Sequence, residues 1–163
     1  MDLSLSTILT QIYPVYKILL AIVLGGMMGY QREISGKSAG LRTYALVCAG
    51  SALFTHLSIT AFSADTARVA AQIITGIGFL GAGIIMHKKD GVVGLTTAAG
   101  LWITSAVGMA VGVDMYLLAI IIAILILIVL MIDDKQMLHG TIDKNNQANR
   151  KFKNSPQIQS KIN

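Results

Sequence analysis

Three polar side chains with the chemistry to hold an ion or a small solute stand before a glycine-rich run: Asp65, Arg68 and Gln72. An acid three residues before an arginine has the spacing of a one-turn ion pair, and an acid at a helix start can cap free N–H groups. The alternative is that these residues border a polar path, with Thr97 beside it. Asp114 is expected on the same side, and Mg²⁺ accepts carboxylates together with retained waters. Both interpretations stay open.

Gly76, Gly78 and Gly81 form the pattern G-x-G-x-x-G, which also occurs in dinucleotide-binding sites. That function requires a preceding β-strand, whereas an Ala-rich stretch precedes these glycines. We therefore expect the glycines to let helices approach closely in a membrane, and we predict that their helix is central in a bundle. The predicted helix-packing glycines are Gly25, Gly29, Gly76, Gly78, Gly81, Gly83, Gly100, Gly108 and Gly112.

A second polar cluster comprises Arg32, Glu33 and Arg42, which bracket a short segment between two apolar runs. Charges beside a membrane core are costly and are usually paired or functional. The cluster is either a candidate cytoplasmic site or a set of basic residues that fixes the orientation of the chain.

The composition predicts the elements that must position these residues. Of the 163 residues, 54% are hydrophobic and only 13% are charged, and the mean hydropathy is +0.67. Soluble domains carry about 25% charged residues, so these values favour a membrane protein. An apolar helix of about 20 residues crosses a bilayer, and we predict an all-α bundle of five transmembrane helices. The predicted spans are residues 12–30, 43–64, 69–86, 91–113 and 115–132.

The basic residues predict the orientation of this bundle. Five spans place eleven of the 13 Lys and Arg residues on one side, leaving only Lys17 and Arg68 on the other. Basic loops stay in the cytoplasm, so the N-terminus is expected outside and the C-terminus inside. Lys17 lies within the first span and is expected to extend its amine outward. Residues 133–163 are predicted to form a disordered, basic cytoplasmic tail.

No pattern in the chain indicates an enzyme. Cys48 is the single cysteine, and the histidines have no metal-ligand spacing, although His56 lies within a span and either packs there or lines a polar interior. We expect no cofactor, with Mg²⁺ only as a ligand or a signal. The expected partners are the bilayer and either another membrane protein or a second copy, and no nucleic acid.

Several motifs together resemble the MgtC/SapB family of bacterial membrane proteins. They are Gly29–Glu33, Gly36–Thr43, Asp65 with Arg68–Gly83, and Gly94–Trp102. The resemblance covers about residues 15–132 and implies a plasma-membrane protein associated with magnesium limitation, intracellular survival and, in some members, restraint of the F-type ATP synthase. Gln31 replaces a common acid, and Thr96 and Ile103 differ from the Asn and Cys of some virulence members. Longer members carry a folded cytoplasmic domain, in place of which a tail is expected here.

Two functions follow as hypotheses. The first is a membrane regulator that contacts a partner membrane protein through its glycine-rich helices and is linked to magnesium or envelope homeostasis. The second is a transporter or channel for Mg²⁺ or another small solute. A structural subunit of a homo-oligomer is a third, weaker alternative.

Overall fold

Five helices and one short hairpin make up the described part of the chain. The computed structural model describes residues 5–62, 65–89 and 91–132, with side chains from residue 12 onward. The elements in chain order are α1 (Leu5–Ile34), α2 (Leu41–Ala61), α3 (Thr66–Ile84), β1 (Met86–Lys88), β2 (Gly91–Val93), α4 (Leu95–Gly112) and α5 (Tyr116–Ile132). The chain divides into two units, Met1–Leu130 and Met131–Asn163. The predicted tail lies outside the described residues.

The helices confirm an all-α membrane fold. Four of those described, α1 to α4, are long and apolar enough to cross a membrane, whereas α5 is apolar but shorter. A helix rises 1.5 Å per residue, so the length of α5 is close to the lower limit for a bilayer core of about 30 Å. The helices alternate in direction. The bundle therefore has an Asp114 end, which holds the starts of α1, α3 and α5, and an Arg32 end, where α1 and α5 finish.

The central helix is α2, and the prediction that α3 is central is wrong. The buried face of α2 consists largely of small residues, among them Ala45, Cys48 and Ala52. Such side chains leave room for backbones to approach on more than one side. A Cβ atom at Gly25 would lie 2.6 Å from the Cys48 Cβ, and one at Gly108 would lie 2.2 Å from the Cys48 carbonyl oxygen. Helices α1 and α4 therefore pack against α2 through glycine.

The nine predicted packing glycines fall into two sets. A Cβ at Gly25, Gly29, Gly100, Gly108 or Gly112 would lie within 3 Å of a residue of the loop before α2 or of α2 itself. A Cβ at Gly81 would make only ordinary contact with Ala98, at 3.5 Å. At Gly76, Gly78 and Gly83, by contrast, a Cβ would meet no described atom within 4 Å. The last three glycines make no close packing contact with the described residues.

A β-hairpin replaces the predicted start of the fourth span. The sequence predicts one run over residues 91–113, but α4 begins only at Leu95, and β1 pairs antiparallel with β2 in front of it. Gly94 explains the break, because its φ of 94° is in the left-handed region that favours glycine. A Cβ there would lie 2.4 Å from the Ile84 carbonyl oxygen, so Gly94 also permits the end of α3 to approach the start of α4.

Candidate functional site

An ion pair between a buried lysine and a half-exposed aspartate joins α1 to the turn between α4 and α5. The Lys17 side chain is only 2% exposed, and its Nζ lies 2.8 Å from Asp114 Oδ1 and 2.9 Å from Oδ2. The Gly112 carbonyl oxygen accepts a longer bond from the same amine, at 3.5 Å. Asp114 is itself half exposed, so the pair is sealed on the lysine side and open on the carboxylate side.

Three tyrosines surround this pair. The Tyr13 hydroxyl donates to Asp114 Oδ1 at 3.2 Å, and the Tyr116 hydroxyl donates to the same oxygen. Tyr16 forms a hydrogen bond with Tyr116 and packs edge-on against the Tyr13 ring. The Lys17 amine lies 4.9 Å from the centroid of the Tyr13 ring, within the range of a cation–π interaction. The ammonium is thus held by a carboxylate, a carbonyl and an aromatic face.

These contacts change the pKa of Asp114, which lies in the turn outside the helices. The hydrogen bond from Lys17 lowers the pKa of its carboxyl group, and the hydrogen bond from Tyr116 lowers it further. Both donors stabilise the ionised carboxylate. The φ of Asp114 is 66°, a left-handed conformation that Asp adopts more readily than most residues. Asp114 therefore both forms the turn and pairs with the Lys17 ammonium.

A polar cleft of about 570 Å³ opens beside the ion pair. Its walls come from α1, α2 and the end of α4, and its polar lining residues are Tyr13, Lys17, His56, Thr60 and Asp114. The Thr60 hydroxyl donates to the His56 carbonyl oxygen at 2.9 Å. Of the two alternatives for His56, the structure places the imidazole at a polar cleft.

Lys17 shows what the sequence did not predict. Its amine was expected to extend outward to water, but it ends on a carboxylate 97 residues away and is almost fully covered. The only signal in the sequence was a lysine inside an otherwise apolar run, because a buried charge requires a partner. The sequence placed Asp114 at the same end of the bundle as Asp65, but it did not predict the ion pair between Asp114 and Lys17.

The predicted outer cluster is not assembled into one site. Asp65 Oδ2 lies 3.1 Å from Arg68 Nε, and both side chains are more than half exposed. Asp65 makes no side-chain cap hydrogen bond to α3, so the ion-pair interpretation is confirmed and the capping bond is wrong. Gln72 instead lines an apolar groove. Thr97 lies near the Arg32 end, where it is buried and its carbonyl accepts from the Tyr44 hydroxyl at 3.4 Å. The structure does not bring Thr97 to Asp65.

The groove that contains Gln72 lies between α2 and α3 and has a volume of about 580 Å³. Its α3 wall repeats with helical spacing, from Val69 through Gln72 and Gly76 to Leu80. Across from it, α2 contributes Leu46, Val47, Gly50, Ser51 and Phe54. Most of the lining is apolar.

The predicted cytoplasmic cluster divides into three environments. Arg32 is fully buried, and its guanidinium donates to the Leu130 carbonyl oxygen at 3.2 Å and to Gln31 Oε1 at 3.3 Å. Glu33 is exposed, and its carboxylate accepts the Leu41 N–H at 2.8 Å. An acid at the start of α2 stabilises that helix end. Arg42 is exposed. Arg32 therefore ties α1 to α5, while Glu33 supports α2.

Within the described ranges, no group of three His, Cys, Asp or Glu side chains is placed to hold a metal ion. Cys48 is free and buried among the helices. The polar chemistry of the described chain is thus concentrated in the Lys17–Asp114 cleft and at Arg32.

The sequence model of the MgtC family matches residues 18–137, which include α2 to α5 and most of α1. The chain belongs to the MgtC family. Its apolar helices and this membership make it a membrane protein, and the resemblance drawn from the motifs is confirmed.

Curated relatives in the MgtC family cover much of the chain. The Escherichia coli K12 protein named "Putative magnesium transporter YhiD" is 42% identical over 125 residues, which are 71% of this chain and 58% of that protein. Protein MgtC of Salmonella typhimurium LT2 is 43% identical over 102 residues, or 63% and 44% of the two chains. An uncharacterized Haemophilus influenzae protein is 44% identical over 107 residues, or 59% and 45%. The chain spans about half the length of these relatives. No solved structure matches it.

Proposed function

We propose that this chain is a magnesium-linked protein of the bacterial inner membrane that regulates a partner membrane protein through helix–helix contact and catalyses no reaction. The magnesium link rests on family membership and on the name of the Escherichia coli relative. The mode of action rests on one observation, the groove between α2 and α3 with its uncovered glycines.

The groove has the properties of a helix-docking surface in lipid. Helices in a membrane associate through close backbone approach at small residues. Gly50 and Gly76 lie on opposite walls of the groove, and a Cβ at either position would meet no described atom within 4 Å. In α1 and α4, by contrast, α2 or the loop before it occupies the space in front of five of the six glycines. The open glycines of the groove offer the same type of contact to another helix.

Gln72 favours a protein occupant over lipid. Its side chain is exposed in the spanning part of α3, and the described residues provide no hydrogen-bond partner for its carboxamide. Lipid tails cannot pair a polar side chain, whereas a Ser, Thr, Asn or Gln on an incoming helix can. The proposed occupant is therefore a transmembrane helix of a partner protein that carries a small or polar residue at the depth of Gln72.

The test is crosslinking in native membranes followed by mass spectrometry, with Gly76→Leu as the probe. Leucine at this position fills the groove without a clash with the described residues, so we expect the protein to fold and the partner crosslink to be lost. Gly78→Leu is the matched control, because Gly78 is equally open but is not among the groove-lining residues. The control retains the crosslink.

Three results contradict this proposal. They are a crosslink that survives Gly76→Leu, loss of the crosslink in both variants, and crosslinks only between copies of this chain. The last result supports the structural-subunit alternative. Thermal unfolding of each purified variant in detergent shows whether folding is intact.

Transport of Mg²⁺ or another small solute is the second candidate function, favoured by the polar cleft at Lys17 and Asp114 and by the name of the Escherichia coli relative. Purified protein in liposomes tests it with a Mg²⁺-sensitive dye. Transport predicts flux that Asp114→Asn abolishes and Asp65→Asn, at the separate exposed pair, leaves intact. Absence of flux under an imposed gradient rejects this function.

A further inference from the structure

We propose that the polar cleft beside Lys17 and Asp114 binds the headgroup of a zwitterionic ethanolamine phospholipid from the leaflet at the Asp114 end. This site is separate from the groove between α2 and α3, and it does not depend on the proposed regulatory function.

The depth of the cleft matches the headgroup layer. Tyr13 and Tyr16 lie in the first turns of the α1 span, and Tyr116 begins α5. All three tyrosines are therefore at the Asp114 end of the bundle. Tyrosines concentrate where the bilayer meets water, because the ring is apolar and the hydroxyl is polar. Tyr13 and Tyr16 are both at least 40% exposed. The tyrosines therefore place the cleft where phosphate and amine groups are found.

The fixed charges of the cleft form a dipole. Lys17 supplies one positive charge and Asp114 one negative charge, and both line the cleft. A ligand with a net charge is attracted to one of these groups and repelled by the other. A zwitterion can direct its ammonium to the half-exposed Asp114 carboxylate and its phosphate toward the Lys17 side, where the covered amine attracts it through its charge rather than by direct contact.

Hydrogen-bonding capacity remains for both halves of such a ligand. Asp114 Oδ2 accepts only from Lys17 among the described residues, and the carboxylate is half exposed, so it can accept from an ammonium. The described residues provide no hydrogen-bond partner for the His56 imidazole, which lines the same cleft. An imidazole N–H can donate to a phosphate oxygen.

The walls favour a lipid over a free zwitterion. Ile59 lines the cleft at 43% exposure, and Tyr13 is 48% exposed beside it. These side chains give apolar surface next to the polar groups, as the glycerol and upper acyl region of a lipid requires. A soluble ethanolamine phosphate would leave this surface uncovered.

Native mass spectrometry of the full chain, released from nanodiscs of defined composition, measures the retained lipid. We expect one phosphatidylethanolamine per chain, retained about tenfold better than phosphatidylglycerol, which lacks an ammonium. Phosphatidylcholine, whose ammonium has no N–H to donate, is retained several-fold less. Free phosphoethanolamine at millimolar concentration does not displace the lipid. If it does displace the lipid, the site belongs to a soluble zwitterion and the proposal is overturned.

Two variants assign the binding to the cleft. His56→Gln is expected to lower phosphatidylethanolamine retention about fivefold, whereas His87→Gln, on the exposed hairpin at the other end, leaves it unchanged. Asp114→Asn preserves a residue type that tolerates the left-handed φ and should remove the preference over phosphatidylglycerol; Asp65→Asn is its control. His56→Gln leaves the ion pair in place, so it tests the site even if Asp114→Asn destabilises the fold. Equal retention of all three lipids, or unchanged retention in folded His56→Gln, overturns the proposal.

Discussion

Helices α1, α2 and α4 form a tightly packed trio, whereas α3 lies at its edge, and both regions are built from similar sequence. Each contains glycines in an apolar run and one acid–base pair near the Asp114 end. In the trio, five of the six glycines of α1 and α4 lie against α2 or the loop before it, and the lysine of the pair is buried. In α3 three of four glycines face open space and both members of the pair are exposed. Similar residues therefore have different roles because of what packs against them.

This difference teaches that a glycine in a membrane helix does not identify an internal contact. The Gly-rich run of α3 has the densest glycine pattern of the chain, yet among the described residues an added Cβ would contact a neighbouring helix only at Gly81. The close approaches are made instead by five of the six glycines of α1 and α4. A glycine that nothing fills within the chain is available for contact with another molecule.

The largest effect should come from filling a glycine of the trio. Gly108→Leu places a side chain where a Cβ already lies 2.2 Å from the Cys48 carbonyl oxygen, and α4 must separate from α2. We expect the free energy of unfolding to fall by about 3 kcal/mol or more. Equilibrium unfolding in mixed detergent micelles measures it.

Gly83→Leu provides the contrast in α3, because a Cβ there meets no described atom within 4 Å. Its free energy of unfolding should stay within about 0.5 kcal/mol of the parent value. If both leucine variants are equally destabilised, the distinction between the trio and α3 is wrong.

A smaller effect should separate the two ion pairs. Lys17→Met keeps the aliphatic stem but removes the charge that faces Asp114, and we expect a loss of about 1–2 kcal/mol because the carboxylate is half exposed and partly hydrated. Arg68→Met removes an exposed pair and should cost less than about 0.5 kcal/mol. The same unfolding measurement compares them. Equal losses in the two variants would show that burial of Lys17 adds nothing.

The smallest effect is a pH dependence at the Lys17–Asp114 pair. The folded-state pKa of Asp114 lies below its ordinary value of 3.8, chiefly because of the Lys17 hydrogen bond. Its contribution to stability is therefore complete above pH 3.8 and is lost as the pH falls through the lowered pKa. The stability difference between the parent chain and Asp114→Asn should be constant at pH 5–7 and shrink below 3.8. A difference that grows on acidification contradicts the ion-pair assignment.

The number of helices and the membrane class could be predicted because they depend only on the number and length of the charge-poor runs in the sequence. The absence of charge over residues 43–64 requires a span whatever the rest of the chain does, and α2 occupies most of that range. The family resemblance likewise depended on motifs that are local in sequence. These features need no knowledge of which helix touches which.

The candidate site was harder to predict because its contacts are long-range. Lys17 and Asp114 are 97 residues apart, and neither local sequence indicates that the two side chains form a pair. Thr97 was grouped with Asp65 from residue type alone, although helix direction places it at the opposite end. The hairpin was missed because the uncharged run continues through Gly91–Gly94, where backbone conformation rather than polarity ends the span.

The edge position of α3 has a topological consequence. Chain direction reverses at each connection, so α2 and α4 run parallel, and no tight turn can join two parallel neighbours. Helix α3 is the crossover that returns the chain to the Arg32 end, in the way that a helix connects parallel strands in a βαβ unit. Helix α3 packs less closely against the other described helices than α1 and α4 do, because it serves mainly as the connection that places α4 parallel to α2. Most of the surface of α3 is therefore not covered by the other described helices.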